Sequence, residues 1–282
     1  MKKYTIINKK TLNSTVTEMD IYAPLVAAKA KAGQFIILRV DSEGERIPLT
    51  VAATDKNAGT VKIIFQVVGA TTIKLSTLNI GDSLQDFVGP LGKPTNLDGI
   101  KRACVIGGGV GSAIAMPIAR VLHEKGAIVD TIIGFRNKEL VILENEFKNC
   151  SDNLKIMTDD GSYGEKGLVT EALKKNIENG AVYDEIFAIG PLIMMKFVVE
   201  TAKAYNIKTT VSMNPIMIDG TGMCGGCRLM VGGKIKFACV DGPDFNGYEV
   251  DFDAAMERNS TYKEFESTAR DASCNLFKKG VE

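Results

Sequence analysis

The 282-residue sequence predicts a multidomain β plus α/β protein: an antiparallel β-barrel, then a doubly wound parallel sheet, then a small C-terminal domain built on a cysteine loop. Three observations predict it. Residues 1–97 carry short β-branched runs cut by Gly, Asp, Asn and Pro; from Lys101 strand-like apolar runs alternate with helical ones; and Cys224, Cys227 and Cys239 crowd into a glycine-rich stretch. The expected divisions are residues 1–97, 98–213 and 214–282.

Composition narrows the functional classes. With 45% hydrophobic and 24% charged residues the chain has the make-up of a globular protein. Lys plus Arg equals Asp plus Glu at 34 each, so no basic field exists for nucleic acid or anionic lipid. Met1 to Ile7 shows no signal-peptide apolar core, and no apolar run approaches the roughly 20 residues of a membrane span; a cytoplasmic location is expected. Six cysteines in that reducing compartment point to metal or free thiols rather than disulfides. The single histidine, His123, lies on an expected helix between Leu122 and Glu124 and reads as a surface residue.

In the first part, strands are expected at Tyr4–Asn8, Thr15–Ile21, Gln34–Val40, Thr50–Ala53 and Thr60–Val68. Arg46-Ile47-Pro48-Leu49-Thr50 precedes one strand, and Gln66-Val67-Val68-Gly69-Ala70-Thr71-Thr72 leaves another for a helix. Glycine and small hydroxyl residues at a helix entrance offer free N–H donors suited to a pyrophosphate, although barrel turns of this composition are also common. In the second part, strands at Ala103–Ile106, Ile128–Phe135, Lys155–Thr158, Glu185–Ile189 and Lys208–Ser212 are separated by helices. Ligands of such a sheet lie beyond the carboxyl ends of its strands. Three loops fall there: Gly107-Gly108-Gly109-Val110-Gly111-Ser112, Asp159-Asp160-Gly161-Ser162 and Gly190-Pro191-Leu192-Ile193-Met194-Met195. Each alone is an ordinary strand-to-helix turn; three on one sheet edge favour a nucleotide. Arg136 follows the second strand, where an adenosine 2′-substituent would lie, and leaves NAD and NADP both open.

In the third part Asp219, Cys224, Cys227 and Cys239 are spaced D-x4-C-x2-C-x11-C. This matches the C-x4-C-x2-C plus distant Cys of plant-type [2Fe-2S] sites if Asp219 replaces the first thiolate. Cys274, Cys104 and Cys150 compete with Asp219 as fourth ligand. A structural zinc site, a thioredoxin-like CxxC and three unrelated thiols are the other readings of the same residues. Beyond Cys239, acidic Asp251, Asp253, Glu257, Glu264 and Glu266 interleave with Phe252, Met256, Tyr262 and Phe265, as in either a solvated helix or a docking arm for a partner.

The three parts together resemble the ferredoxin-NADP reductase superfamily with a C-terminal [2Fe-2S] domain. Within it the chain resembles the electron-transfer subunits of dihydroorotate dehydrogenase, and more closely the small subunits of NADH-dependent ferredoxin:NADP oxidoreductases. Glu45 to Thr50, the Asp219–Cys239 spacing and Cys239-Val240-Asp241-Gly242-Pro243 carry the narrower match. The resemblance implies FAD on Pro48, Leu49 and Thr50 and on Gln66, Val67, Val68, Gly69, Thr71 and Thr72. It implies NAD(H) on Gly109, Val110 and Gly111, on Asp160, Gly161 and Ser162, and on Gly190 and Pro191. It also implies hydride transfer at FAD with no catalytic side chain, followed by single-electron transfer to the cluster. The implied partner is a larger, glutamate-synthase-like subunit with its own FAD and iron-sulfur clusters, coupling NADH and NADP(H) to ferredoxin by electron bifurcation. Two departures stand out: Arg46 is one residue farther from Thr50 than in the superfamily's R-x-x-[ST] motif, and Ile189 replaces the usual Cys before Gly190-Pro191. The alternatives are a dihydroorotate dehydrogenase electron-transfer subunit and, in a different class, a non-catalytic zinc-containing binding module.

Overall fold

The computed structural model describes residues 2–261 and 265–268. The first part forms two antiparallel sheets folded around one core. Its elements are β1 (Ile6–Thr11), β2 (Val16–Tyr22), α1 (Pro24–Ala27), β3 (Phe35–Arg39), β4 (Arg46–Thr50), β5 (Ala53–Asp55), β6 (Thr60–Gln66), α2 (Ala70–Thr77) and β7 (Asp86–Leu91). The sheet orders are β1-β2-β6-β5 and β4-β3-β7. Alternation explains the inside: Val61, Ile63 and Phe65 of β6 point into the barrel core with Met19, Ile21, Ile36, Leu38 and Phe87. Ile64 faces the other way and packs with Val16 and Ala52 against the second part, which is why Ile63-Ile64-Phe65 reads as an unbroken apolar run.

Two expectations change here. The strand expected at Thr50–Ala53 is Arg46–Thr50 instead, with Pro48 inside it. Proline is tolerated because β4 is an edge strand paired only with β3. Strand β7 was missed because its Gly89-Pro90 pair breaks a β-branched pattern.

The second part contains β8 (Arg102–Gly108), α3 (Gly111–Glu124), β9 (Ile128–Phe135), α4 (Glu144–Lys148), β10 (Asn153–Thr158), β11 (Glu165–Lys166), α5 (Val169–Glu178), β12 (Glu185–Ile189), α6 (Leu192–Ala204) and β13 (Thr209–Ser212). The last part contains β14 (Arg228–Val231), β15 (Lys234–Phe237), α7 (Ala238–Asp241), β16 (Asp244–Asn246) and α8 (Phe252–Ser260). One seven-stranded sheet runs β11-β10-β9-β8-β12-β13-β16, parallel except for its last pair. Strand parity buries both faces: Ala103, Val105, Phe187 and Ile189 meet α3, while Cys104, Ile106, Ile186 and Ala188 meet α5 and α6. The chain leaves β8 for β9 on one side and returns to β12 on the other, which opens a crevice beyond β8 and β12.

The outermost strand, β16, comes from the segment after Cys239, so the parallel sheet is completed by the cysteine-bearing part of the chain. Helix α8 is capped by Asp251, whose side chain accepts from the Ala254 amide, and it buries Phe252 and Ala255. It packs on α6 and β14, so the described stretch of the acidic tail is a structural brace. Tyr262, Glu264 and Cys274 lie outside the described residues. Among the described residues no helix is long and apolar enough to cross a membrane.

Candidate functional site: a nucleotide cleft and a cysteine loop

The crevice is a cleft of about 870 Å³, within the roughly 300–1,000 Å³ range of ligand pockets. Its floor is the turn Gly108 to Gly111, and Gly190 and Pro191 stand beside it. Gly111 is required by close approach: a Cβ there would lie 2.6 Å from the Ile189 carbonyl oxygen and 2.7 Å from Gly190 Cα. The Gly109 amide donates to the Gly134 carbonyl at 2.8 Å, fixing the turn on the end of β9. The cradle so made, at the start of a 14-residue helix, suits a dinucleotide pyrophosphate.

Not every expected residue reaches this wall. Asp159 and Arg136 line the cleft, whereas Asp160, Gly161 and Ser162 lie off it, where Ser162 Oγ accepts from the Lys138 amide at 2.8 Å. Asp160 Oδ1 accepts from the Ser162 amide at 2.9 Å and from its hydroxyl at 2.6 Å, and these bonds hold the Asp160 carboxyl below its ordinary range. Of the expected flavin residues Gln66 lines the cleft. Pro48, Leu49 and Thr50 are half-buried on β4. Thr72 Oγ1 accepts from the Val68 and Gly69 amides and donates to the Gly69 carbonyl, so it shapes the loop entering α2. Thr71 Oγ1 donates to Glu45 at 3.3 Å. Sequence reading missed Phe197, Thr201, Ser212 and Asn214, all on the cleft wall. Applying the strand-end rule to β13, as to the other strands, would have found the last two.

The cysteine loop is held by a hairpin. Gly232 and Gly233 both have positive φ, the backbone of a tight two-residue turn joining β14 to β15. Register then brings Cys227, just before β14, beside Cys239, just after β15. Their Sγ atoms are 3.2 Å apart. Amides point at the sulfurs: Cys239 N–H donates to Cys227 Sγ and Gly226 N–H to Cys224 Sγ, both at 3.4 Å, and the Gly222 amide faces Cys239. Burial, reinforced by the adjoining Cys227, pushes the Cys239 thiol up to about 12. Cys224 is exposed, with Met223 88% exposed next to it. Asp219 accepts from the Thr221 amide at 3.0 Å, the Cys224 amide at 2.9 Å and the Thr221 hydroxyl at 3.2 Å, and these bonds lower its pKa. Arg258 of α8 reaches back to donate to the Gly226 carbonyl at 3.1 Å.

The structure therefore joins Cys227 to Cys239 and Asp219 to the Cys224 backbone. Among the described residues no three His, Cys, Asp or Glu side chains converge into one ligand set. Paired thiols surrounded by N–H donors nonetheless fit a thiolate-bound iron-sulfur cluster, whose sulfurs accept such bonds. Cys104, on β8, is buried in the same core cluster as Cys227 and Cys239, and Cys150 is buried in the cluster on the other face of the sheet.

A flavin-type barrel, a switch-point nucleotide cleft and a cluster loop define an electron-transfer oxidoreductase of ferredoxin-NADP reductase fold. The family model of the iron-sulfur cluster binding domain of dihydroorotate dehydrogenase B matches residues 214–251. The dihydroorotate dehydrogenase B electron transfer subunit homolog of Thermotoga maritima is 46% identical over 261 residues, covering 93% of this chain and 92% of that protein. The electron transfer subunit of Geobacillus sp. is 31% identical over 258 residues, covering 88% and 98%. The chain belongs to the family of dihydroorotate dehydrogenase B electron transfer subunits. A solved chain of the NADH-dependent reduced ferredoxin-NADP oxidoreductase, a system of flavin-based electron bifurcation, superposes with a TM-score of 0.91 at 41% identity and covers 100% of this chain and 99% of its own. The Amycolatopsis cytochrome P450 reductase, at 21% identity and a TM-score of 0.60, shares the fold over 72% of this chain.

Proposed function

We propose that this chain is the FAD- and [2Fe-2S]-carrying subunit of a heterodimeric, electron-bifurcating NADH-dependent ferredoxin:NADP oxidoreductase, exchanging electrons with NAD(H). The observation that carries the reading is the full-length structural likeness to a bifurcating relative, with a TM-score of 0.91 over 100% of this chain at 41% identity; the dihydroorotate dehydrogenase B relatives of Thermotoga and Geobacillus stand at 46% and 31%. The match of residues 214–251 to the dihydroorotate dehydrogenase B domain supports that enzyme as the second reading.

In this proposal Gly109, Val110 and Gly111 hold the dinucleotide pyrophosphate, and Gly190 and Pro191 flank the nicotinamide. Asp160, Gly161 and Ser162 keep the shape of the ribose-side loop. Pro48, Leu49 and Thr50 line the isoalloxazine, while Gln66, Val67, Val68, Gly69, Thr71 and Thr72 hold the rest of FAD. Cys224, Cys227, Cys239 and Asp219 hold the cluster. When bound, the flavin converts a hydride into single electrons and the cluster carries them one at a time. The protein's part is placement: the largely apolar cleft wall receives the dinucleotide, and the exposed Cys224 side of the loop is the face offered to a larger, glutamate-synthase-like subunit serving ferredoxin and NADP(H).

Anaerobic addition of NADH tests this. Flavin absorbance should bleach, followed by a reduced-cluster electron paramagnetic resonance signal, and the larger subunit should co-purify with the chain. A flavin that NADH leaves oxidised would sink the reading.

A further inference from the structure

We propose that Ser212 and Asp244 form a proton-accepting pair on the cleft wall, Ser212 making the contact and Asp244 storing the proton behind it. The inference rests on the electron-transfer reading. Ser212 ends β13 and lines the cleft. Asp244 opens β16, and strand register sets it directly opposite Ser212, so the two side chains share one side of the sheet. Asp244 Oδ2 accepts from Thr95 Oγ1 at 2.5 Å, whereas Oδ1 is buried with no hydrogen-bond partner among the described residues. A buried acceptor left unpaired is costly, and the neighbouring Ser212 hydroxyl is the group placed to relieve it.

The electrostatics agree with the geometry. Burial pushes Asp244 up to about 6; Thr95 and Ser212 pull it down, and the Glu185 carboxylate pushes it up. Glu185 is itself engaged by Lys208 and Thr210. Such a carboxyl exchanges its proton near neutral pH.

Electron transfer creates the need for this pair. A hydride brings two electrons and one proton, and electrons that leave singly for the cluster strand the proton in the cleft. Ser212 Oγ takes that proton as its own hydrogen passes to Asp244 Oδ1. One O–H bond forms on each oxygen, one breaks on Ser212, and the carboxylate becomes a carboxylic acid. No electron passes through either side chain. Asp244 returns the proton through Ser212 when flow reverses, or releases it to solvent.

The test is a potentiometric titration of the flavin in the full chain across the pH range bracketing Asp244, with stopped-flow measurement of cluster reduction. In the unaltered protein the potential–pH line should bend near the Asp244 midpoint. Asp244→Asn should straighten it, and Thr95→Val should move the bend to higher pH, because the lost hydroxyl lowered the midpoint. Ser212→Ala should keep a bend, likewise moved to higher pH, but slow cluster reduction about 100-fold with a larger solvent isotope effect. A bend unchanged in Asp244→Asn, or unmoved in Thr95→Val, overturns the proposal, as does Ser212→Ala at the unaltered rate. If Asp244→Asn loses its flavin, the other two variants decide. A chain without bound flavin is seen in the starting spectrum, and that failure belongs to the electron-transfer reading instead.

Discussion

Asp219 accepts three hydrogen bonds within its own loop, two of them from backbone amides. A carboxylate offers about four lone-pair sites, so one remains for iron. Asp219→Asn separates turn-former from ligand, since the amide still accepts at one oxygen but carries no charge. We expect iron and acid-labile sulfide to fall in Asp219→Asn; retention at the unaltered level would reduce Asp219 to a turn residue. The sequence spacing grouped Asp219 with the three thiols; the structure sets Cys227 beside Cys239 and ties Asp219 to the Cys224 amide. The spacing did not show Arg258 clamping the Gly226 carbonyl, because that contact joins groups 32 residues apart through the packing of α8. Nor did it show Asp130, which is buried in β9 and receives Arg102, Asn153 and Tyr183 at 2.7–2.8 Å. Burial raises the pKa of Asp130, but those three bonds outweigh it and leave the group below its ordinary value. With the folded value depressed, its contribution is present above the unfolded pKa of about 3.9 and is lost as pH falls through the folded one. The melting-temperature advantage over Asp130→Asn should therefore be full at neutral pH and shrink below about pH 4.

At the scale of elements, the parallel strands were the most readable. Strands buried on both faces are written as continuous apolar runs, and Ile128–Phe135 and Glu185–Ile189 match their expected bounds. The barrel strands were harder, since Pro48 and the Gly89-Pro90 pair sit inside strands whose place at the sheet edge or in a bend is set by tertiary context. Helix α3 depends on Gly111 for its seat against the β12 turn. Gly111→Ala inserts a methyl 2.6 Å from the Ile189 oxygen. It should lower stability by about 1–3 kcal/mol, as overpacking does, and weaken NADH binding by at least about tenfold. Chemical denaturation and equilibrium titration measure the two effects, and wild-type values for both would remove the close-approach explanation of the turn.

Across the whole molecule, the three divisions read from sequence share one interior. A single core cluster joins Phe35 and Ile37 of the barrel, Ile106, Ile186 and Val211 of the parallel sheet, and Cys227, Leu229, Cys239 and Phe252 of the last part. Strand β16 then pairs with β13. Neither link has a local signal, because each is made by residues far apart in the chain. A chain ended after Met213 should consequently expose its sheet edge, melt earlier and lose NADH binding. An intact, fully stable truncated protein would mean that the last part is an independent attachment.

Flavin and iron-sulfur cluster are proposed to reside together on this one chain. An ultraviolet-visible spectrum with flavin, iron and sulfide analysis on anaerobically purified protein tests this. FAD is expected together with equimolar iron and acid-labile sulfide, with loss of the iron in Cys227→Ser and the flavin retained. A colourless protein containing zinc would contradict it.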